Sequence, residues 1–182
     1  MITRIKEETK LFHTEVEKVL VKELKALQTQ EEYATLLLKL YGFYFSVENK
    51  LQDNIEESIM PDIKIRKHIS HLEKDLMLMG VSFLPINNEF SKKITSLSYA
   101  LGVLYVIEGS TLGGQIIVSM IMKQLDLKDK TLLSYFNSYD AKTQDMWGAF
   151  KDNVENSSYS IDGDVMLQGA KDTFIALKHW LQ

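Results

Sequence analysis

The chain has 182 residues, of which 45% are hydrophobic and 25% charged, and its formal net charge is −4. That is enough for one well-buried domain over residues 1–182, and no linker or repeat divides it. The acidic balance sets nucleic acid aside as a partner, and the absence of cysteine removes disulfides, thiolate nucleophiles and thiolate metal ligands.

Apolar residues recur at helical spacing from about Ile2 to Ala26, with Thr9 and His13 on the same face as Ile5, Phe12, Val16 and Leu24. A second helix is predicted from about Glu31 to Ile55, with Tyr33, Leu37, Leu40, Tyr41, Tyr44, Val47, Glu48 and Leu51 along one broad face. Pro61 suits the first turn of a third helix, which extends through Arg66, His68 and Leu72 to a stop at Gly80. The segment VSFLPINNEF (81–90) is a connection, and Ser91 is the expected N-cap of a long helix ending near Leu125. A short helix near Leu132–Phe136 and two more, about Ala141–Val154 and Gly163–Leu181, complete an all-α, single-domain helical bundle. The charged N-terminus, MITRIKEETK, is not a signal peptide. The longest apolar run, around Ala100–Ile107, is short for a bilayer. The expectation is a soluble, cytoplasmic protein with no membrane partner.

The predicted long helix carries Gly102, Gly109, Gly113 and Gly114, four of the nine glycines in the chain. Each costs a helix about 1 kcal/mol relative to alanine, so the cluster demands a close approach by a second helix or by a flat ligand. Helix packing is the commoner cause. His13 lies one turn before Glu17, whose carboxylate can orient the ring while the second nitrogen stays free for a metal. Alone, such a histidine is more often a packed or boundary residue. His68 and His71 have spacing compatible with a shared metal, but Lys67, Glu73 and Lys74 nearby suggest a solvated, non-functional surface, and His179 is expected at a helix end. GSTLGG lacks the lysine and strand of a phosphate loop, Ser110 has no histidine–acid partners at informative spacing, and the paired Glu-x-x-His pattern of a di-iron bundle is missing.

EETKLFHTEVE (7–17) resembles the proximal helix of haem oxygenases, and YVIEGSTLGGQ (105–115) resembles their distal helix in the form found in bacterial, phytochrome-associated members. LYGFYFSVE (40–48), HLEKDLMLMG (71–80) and AKDTFIALKHWL (170–181) are similar to further blocks of that family, in the same order. The resemblance implies haem as both cofactor and substrate, with His13 as the iron ligand and Glu17 beside it. It implies Lys6, Lys10 and Lys151 near the propionates, with Trp147 where some members have a lysine. Phe174 would pack against the haem. Gly109, Gly113 and Gly114 would form a kink over the opposite face, and Tyr44 would join a distal hydrogen-bond network. Ser110 departs from the animal members, which have an aspartate there; a hydroxyl cannot hold a charge or order water equally well. Glu108, a tempting substitute, is expected on another helix face, pointing outward.

The implied reaction opens haem to biliverdin, carbon monoxide and ferrous iron, using dioxygen and an external donor such as a ferredoxin, a flavodoxin or a flavin reductase. The product could feed a bilin-binding phytochrome, or the enzyme could serve iron acquisition. The alternative is a non-catalytic haem-binding protein for storage, delivery or sensing on the same fold, which Ser110 keeps open. A thiamin-degrading relative would need a nucleophilic cysteine that this chain lacks, and a purely structural partner would show no haem affinity.

Overall fold

A computed structural model describes residues 1–66 and 68–182; Lys67, grouped above with a solvated surface, lies outside the described residues. Among them there are α-helices and short 3-10 turns and no strand. The helices are α1 (Ile2–Ala26), α2 (Gln30–Asn54), α3 (Ile69–Leu78), α4 (Leu97–Ser110), α5 (Gly114–Gln124), α6 (Thr143–Glu155) and α7 (Gly163–Leu181).

The first two helices and the last lie where the periodicity predicts them. A full capping box starts α2, with Thr29 accepting from the Glu32 N–H and Glu32 reaching back to the Thr29 N–H. Asp162 caps α7 by accepting from the Asp164 and Val165 N–H groups. Gly80, at φ 69°, ends the third helix, and the Val81 N–H reaches back to the Leu76 carbonyl.

Between these landmarks the sequence reading needs correction. The third helix begins at Ile69, not near Pro61, because residues 62–66 curl into a 3-10 turn that carries Arg66 into the interior. Ser96, not Ser91, caps α4; Ser91 sits in a 3-10 turn where its hydroxyl donates to the Asn88 carbonyl. The long glycine-bearing helix is two helices, broken by a 3-10 turn at Thr111–Gly113. Residues 132–136 form turns rather than a helix, pinned by the buried carboxylate of Asp75, which accepts the Ser134 and Tyr135 N–H groups at 3.0 and 2.9 Å. The next helix, α6, starts at Thr143 after a 3-10 turn over Asp140–Lys142.

At the centre is α4, where every residue from Ser98 to Glu108 is buried. Residues Leu97–Gln124 together are long and apolar enough to cross a membrane by length and composition, which the expectation of a short run did not foresee. Over half of the most apolar window is buried against the rest of the chain, so this is a core segment.

The contact with α7 explains part of the glycine cluster. A Cβ on Gly102 would collide with the Met166 carbonyl, and one on Gly169 would collide with the Tyr99 carbonyl. The two helices therefore meet backbone to backbone, each supplying the glycine that admits the other. Gly114 has a similar role, because a Cβ there would strike the Phe136 carbonyl. By contrast, a Cβ on Gly113 would meet nothing within 4 Å, and one on Gly109 only the Trp147 ring edge at 3.8 Å. Gly102→Ala or Gly169→Ala should each destabilise by about 1–3 kcal/mol through overpacking, while Gly113→Ala should leave stability unchanged or slightly higher. Thermal melts followed by circular dichroism would check the contrast.

Candidate functional site

Four side chains on α1, Lys6, Lys10, His13 and Glu17, are spaced three or four apart and so share one stripe of the helix. The structure puts that stripe at the surface. His13 is not buried as the apolar face suggested: its side chain is 50% exposed. Its Nδ1 lies 3.4 Å from the Glu17 carboxylate, and its ring meets the edge of Phe174 at 5.7 Å between centroids. Among the described residues no hydrogen bond is made to Nε2, so that nitrogen is free to take a ligand. Lys6 and Lys10 are exposed, Lys151 is half-buried, and none of the three forms an ion pair among the described residues.

Two ties set α1 against the broken α4–α5 segment. The Thr9 hydroxyl lies beside the Tyr105 hydroxyl of α4, where it partly offsets the upward effect of burial on the phenol's pKa, and the Gln124 side chain at the end of α5 donates to the Leu27 carbonyl at 2.8 Å, just past the end of α1. The two stretches therefore run in the same direction. His13 lies four residues, or about 6 Å, beyond the first tie on α1, and Gly109 lies the same step beyond it on α4. The imidazole and the last turn of α4, just before the break at Thr111–Gly113, thus occupy the same level of the structure.

Here the remaining glycines acquire a reason. Protein packing does not require glycine at 109 or 113, since a Cβ at either would meet nothing closer than the Trp147 ring edge. A free imidazole nitrogen, a backbone surface without side chains and three unpaired lysines fit a flat, iron-bearing, dianionic ligand. Haem has that shape and charge, so the residues present fit it.

Ser110 is exposed, and its hydroxyl donates to the Ile107 carbonyl at 2.7 Å. Behind it, Tyr44 is buried; burial raises its pKa, partly offset by hydrogen bonding to Tyr135 and Ser110. The rings of Tyr44 and Tyr135 meet edge to face at 5.7 Å. A line of three hydroxyls therefore leads from the break into the core.

A model of the family described as "Heme oxygenase" matches residues 1–182. The chain belongs to the haem oxygenase family. A protein named "Heme oxygenase" from Xanthomonas campestris pv. campestris (strain 8004) is 29% identical over 94 residues, 52% of this chain and 55% of that protein. The chain thus spans about half the length of the curated relative it matches.

The sequence reading missed a buried polar cluster directly behind the break. Glu108 does not point outward but is fully buried. It pairs with the Arg66 guanidinium, lies 3.1 Å from His68 Nε2 and accepts from the Tyr139 hydroxyl at 3.0 Å. His68 is correspondingly buried, not solvated; burial alone would lower its pKa, but the Glu108 hydrogen bond and the nearby carboxylates raise it. The Glu48 carboxylate crosses from α2 to accept the N–H groups of His68 and Ile69, capping the start of α3. Desolvation pushes the Glu48 pKa up to about 7. One signal was available: Glu108 is the one charged residue between Lys93 and Lys123, and a lone charge in so apolar a stretch needs a partner.

The raised groups give a pH dependence of definite sign. Glu48 and Asp75 have folded pKa values above their unfolded ones, and so has His68, so the folded chain holds more protons. The stability they contribute is present at low pH and lost as pH rises, for Glu48 between about 4.5 and 7. Urea denaturation should show stability falling by about 1–3 kcal/mol from pH 5 to 8, and Glu48→Gln should flatten the slope below pH 7.

Proposed function

We propose that the chain is a haem oxygenase that binds haem between α1 and the α4–α5 break. It opens the ring with dioxygen and external electrons to give biliverdin, carbon monoxide and ferrous iron. What supports this reading is an exposed His13 beside Glu17 together with two glycines, Gly109 and Gly113, that packing does not require. Membership of the family supports it.

When bound, haem supplies both the iron at which dioxygen reacts and the carbon skeleton that is opened. The chain's own residues bind, orient and protonate. Glu17 beside Nδ1 would orient the ring and leave the Nε2 lone pair for iron. Lys6, Lys10 and Lys151 meet the propionates, whose two negative charges need cations at the mouth of the crevice. Bare backbone at Gly109 and Gly113 would let the end of α4 lie close to a bound ring and so restrict the space beside it. The hydroxyls of Ser110, Tyr44 and Tyr135 give protons a route to that space, neutral throughout because burial keeps both tyrosines protonated. No nucleotide or flavin motif is present in the sequence, so electrons come from a separate ferredoxin, flavodoxin or flavin reductase. The product is suited to a bilin-binding phytochrome, and the reaction to the cytoplasm.

One observation favours the haem-carrier alternative. The Ser110 hydroxyl already donates to the Ile107 carbonyl, so it reaches the crevice only as an acceptor unless it rotates. Haemin titration followed by reductant under air separates the two readings. We expect a Soret band that His13→Ala abolishes, haem affinity reduced roughly tenfold or more by Glu17→Ala, and decay of the band to biliverdin. A His13-dependent band that survives reductant would select the carrier, and no saturable binding would overturn both.

A further inference from the structure

The Arg66 guanidinium touches more than Glu108. It holds Asp62 through two hydrogen bonds, at 2.8 and 2.7 Å, and donates to the Met146 carbonyl on α6 at 2.9 Å. One buried cation therefore ties the last turn of α4 to the first turn of α6. The residue after Met146 is Trp147, and its indole is the nearest group to Gly109, with its ring edge 3.8 Å from where a Cβ would stand. Trp147 is partly exposed; it stacks on Phe150 at 5.4 Å and leans on Tyr105 at 5.5 Å, so its inner side is held and its outer edge borders the break.

Resting on the haem reading above, we propose that Trp147 is a specificity-determining wall of the crevice beside Gly109, and that the Arg66–Glu108 pair is the positioning device that sets its distance from the α4 backbone. Three links make the connection. Glu108 is the residue immediately before Gly109, so fixing its carboxylate fixes the backbone where the break begins. The Met146 carbonyl is adjacent to Trp147, so the same guanidinium fixes the indole's attachment point. His68 and Tyr139 fill the remaining acceptor sites of Glu108, which denies the carboxylate other orientations. A side chain as large and stiff as an indole at that edge leaves a flat ligand less room there than elsewhere. It therefore biases which carbon bridge of the macrocycle lies under the break.

The chain contains two tryptophans, and Trp180→Phe leaves Trp147 as the sole indole. In that background we would compare acrylamide quenching of the ligand-free parent, Glu108→Gln and Arg66→Lys. The pattern of biliverdin isomers would be measured for the same proteins and for Trp147→Ala. Loss of the Glu108 charge, or of the guanidinium fork that reaches both Glu108 and Met146, should raise the Trp147 quenching constant roughly twofold while the melt stays cooperative. Glu108→Gln, Arg66→Lys and Trp147→Ala should convert a single isomer into a similar mixture. Unchanged quenching in both clamp variants, or an unchanged isomer pattern in Trp147→Ala, would overturn the proposal. Trp147→Ala leaves the clamp untouched, so it carries the test if the clamp variants fail to fold. Failure to bind or cleave haem at all would overturn the functional reading, while quenching of the ligand-free protein still reads the clamp.

Discussion

A carboxyl group in the buried stretch of a core helix must find partners inside the protein, because transferring a lone charge out of water costs several kcal/mol. Glu108 is such a group, and its needs organise the region behind the break. To reach it, the chain after α2 abandons a helix that the periodicity would allow and curls at residues 62–66, bringing Arg66 inside. His68 then arrives at the start of α3 with its ring against Glu108 and its N–H on Glu48. Tyr139 closes the cluster from the turn before α6. Four separate segments are thereby fixed relative to the residue preceding Gly109.

The glycines divide by the same kind of argument. Gly102, Gly114 and Gly169 sit where another backbone already fills the space, and they answer to packing. Gly109 and Gly113 answer to nothing in the protein. Composition alone cannot separate these cases, because each glycine removes the same atom; only the neighbour across the gap tells them apart.

What could be read from the sequence follows from range. Periodicity and caps act within a few residues, so α1, α2 and α7 were predicted nearly to the residue, and the His13–Glu17 pair needs only one helical turn. The third helix and the one expected at 132–136 failed because distant groups override local propensity there: Glu108, 42 residues from Arg66, and Asp75, 60 residues from Tyr135. His13 was assigned to a buried face because it shares a side of α1 with Phe12 and Val16, yet α1 has only five buried residues, against thirteen on α2 of the same length.

That shallow seating of α1 has a mechanical meaning. Three ion pairs fasten it along α7 in parallel register: Arg4 to Asp164, Glu8 to Lys171 and Glu15 to Lys178, at 2.7, 3.1 and 2.7 Å. Such exposed pairs contribute little to stability, and ions screen them over about 8 Å at physiological ionic strength. The helix that carries His13 is thus held to α7 at its outer edge by screened pairs and to the core by five buried residues, while α4 is buried continuously from Ser98 to Glu108. That outer seam is therefore open to loosening by salt in a way that the backbone-to-backbone contact of α4 with α7 is not.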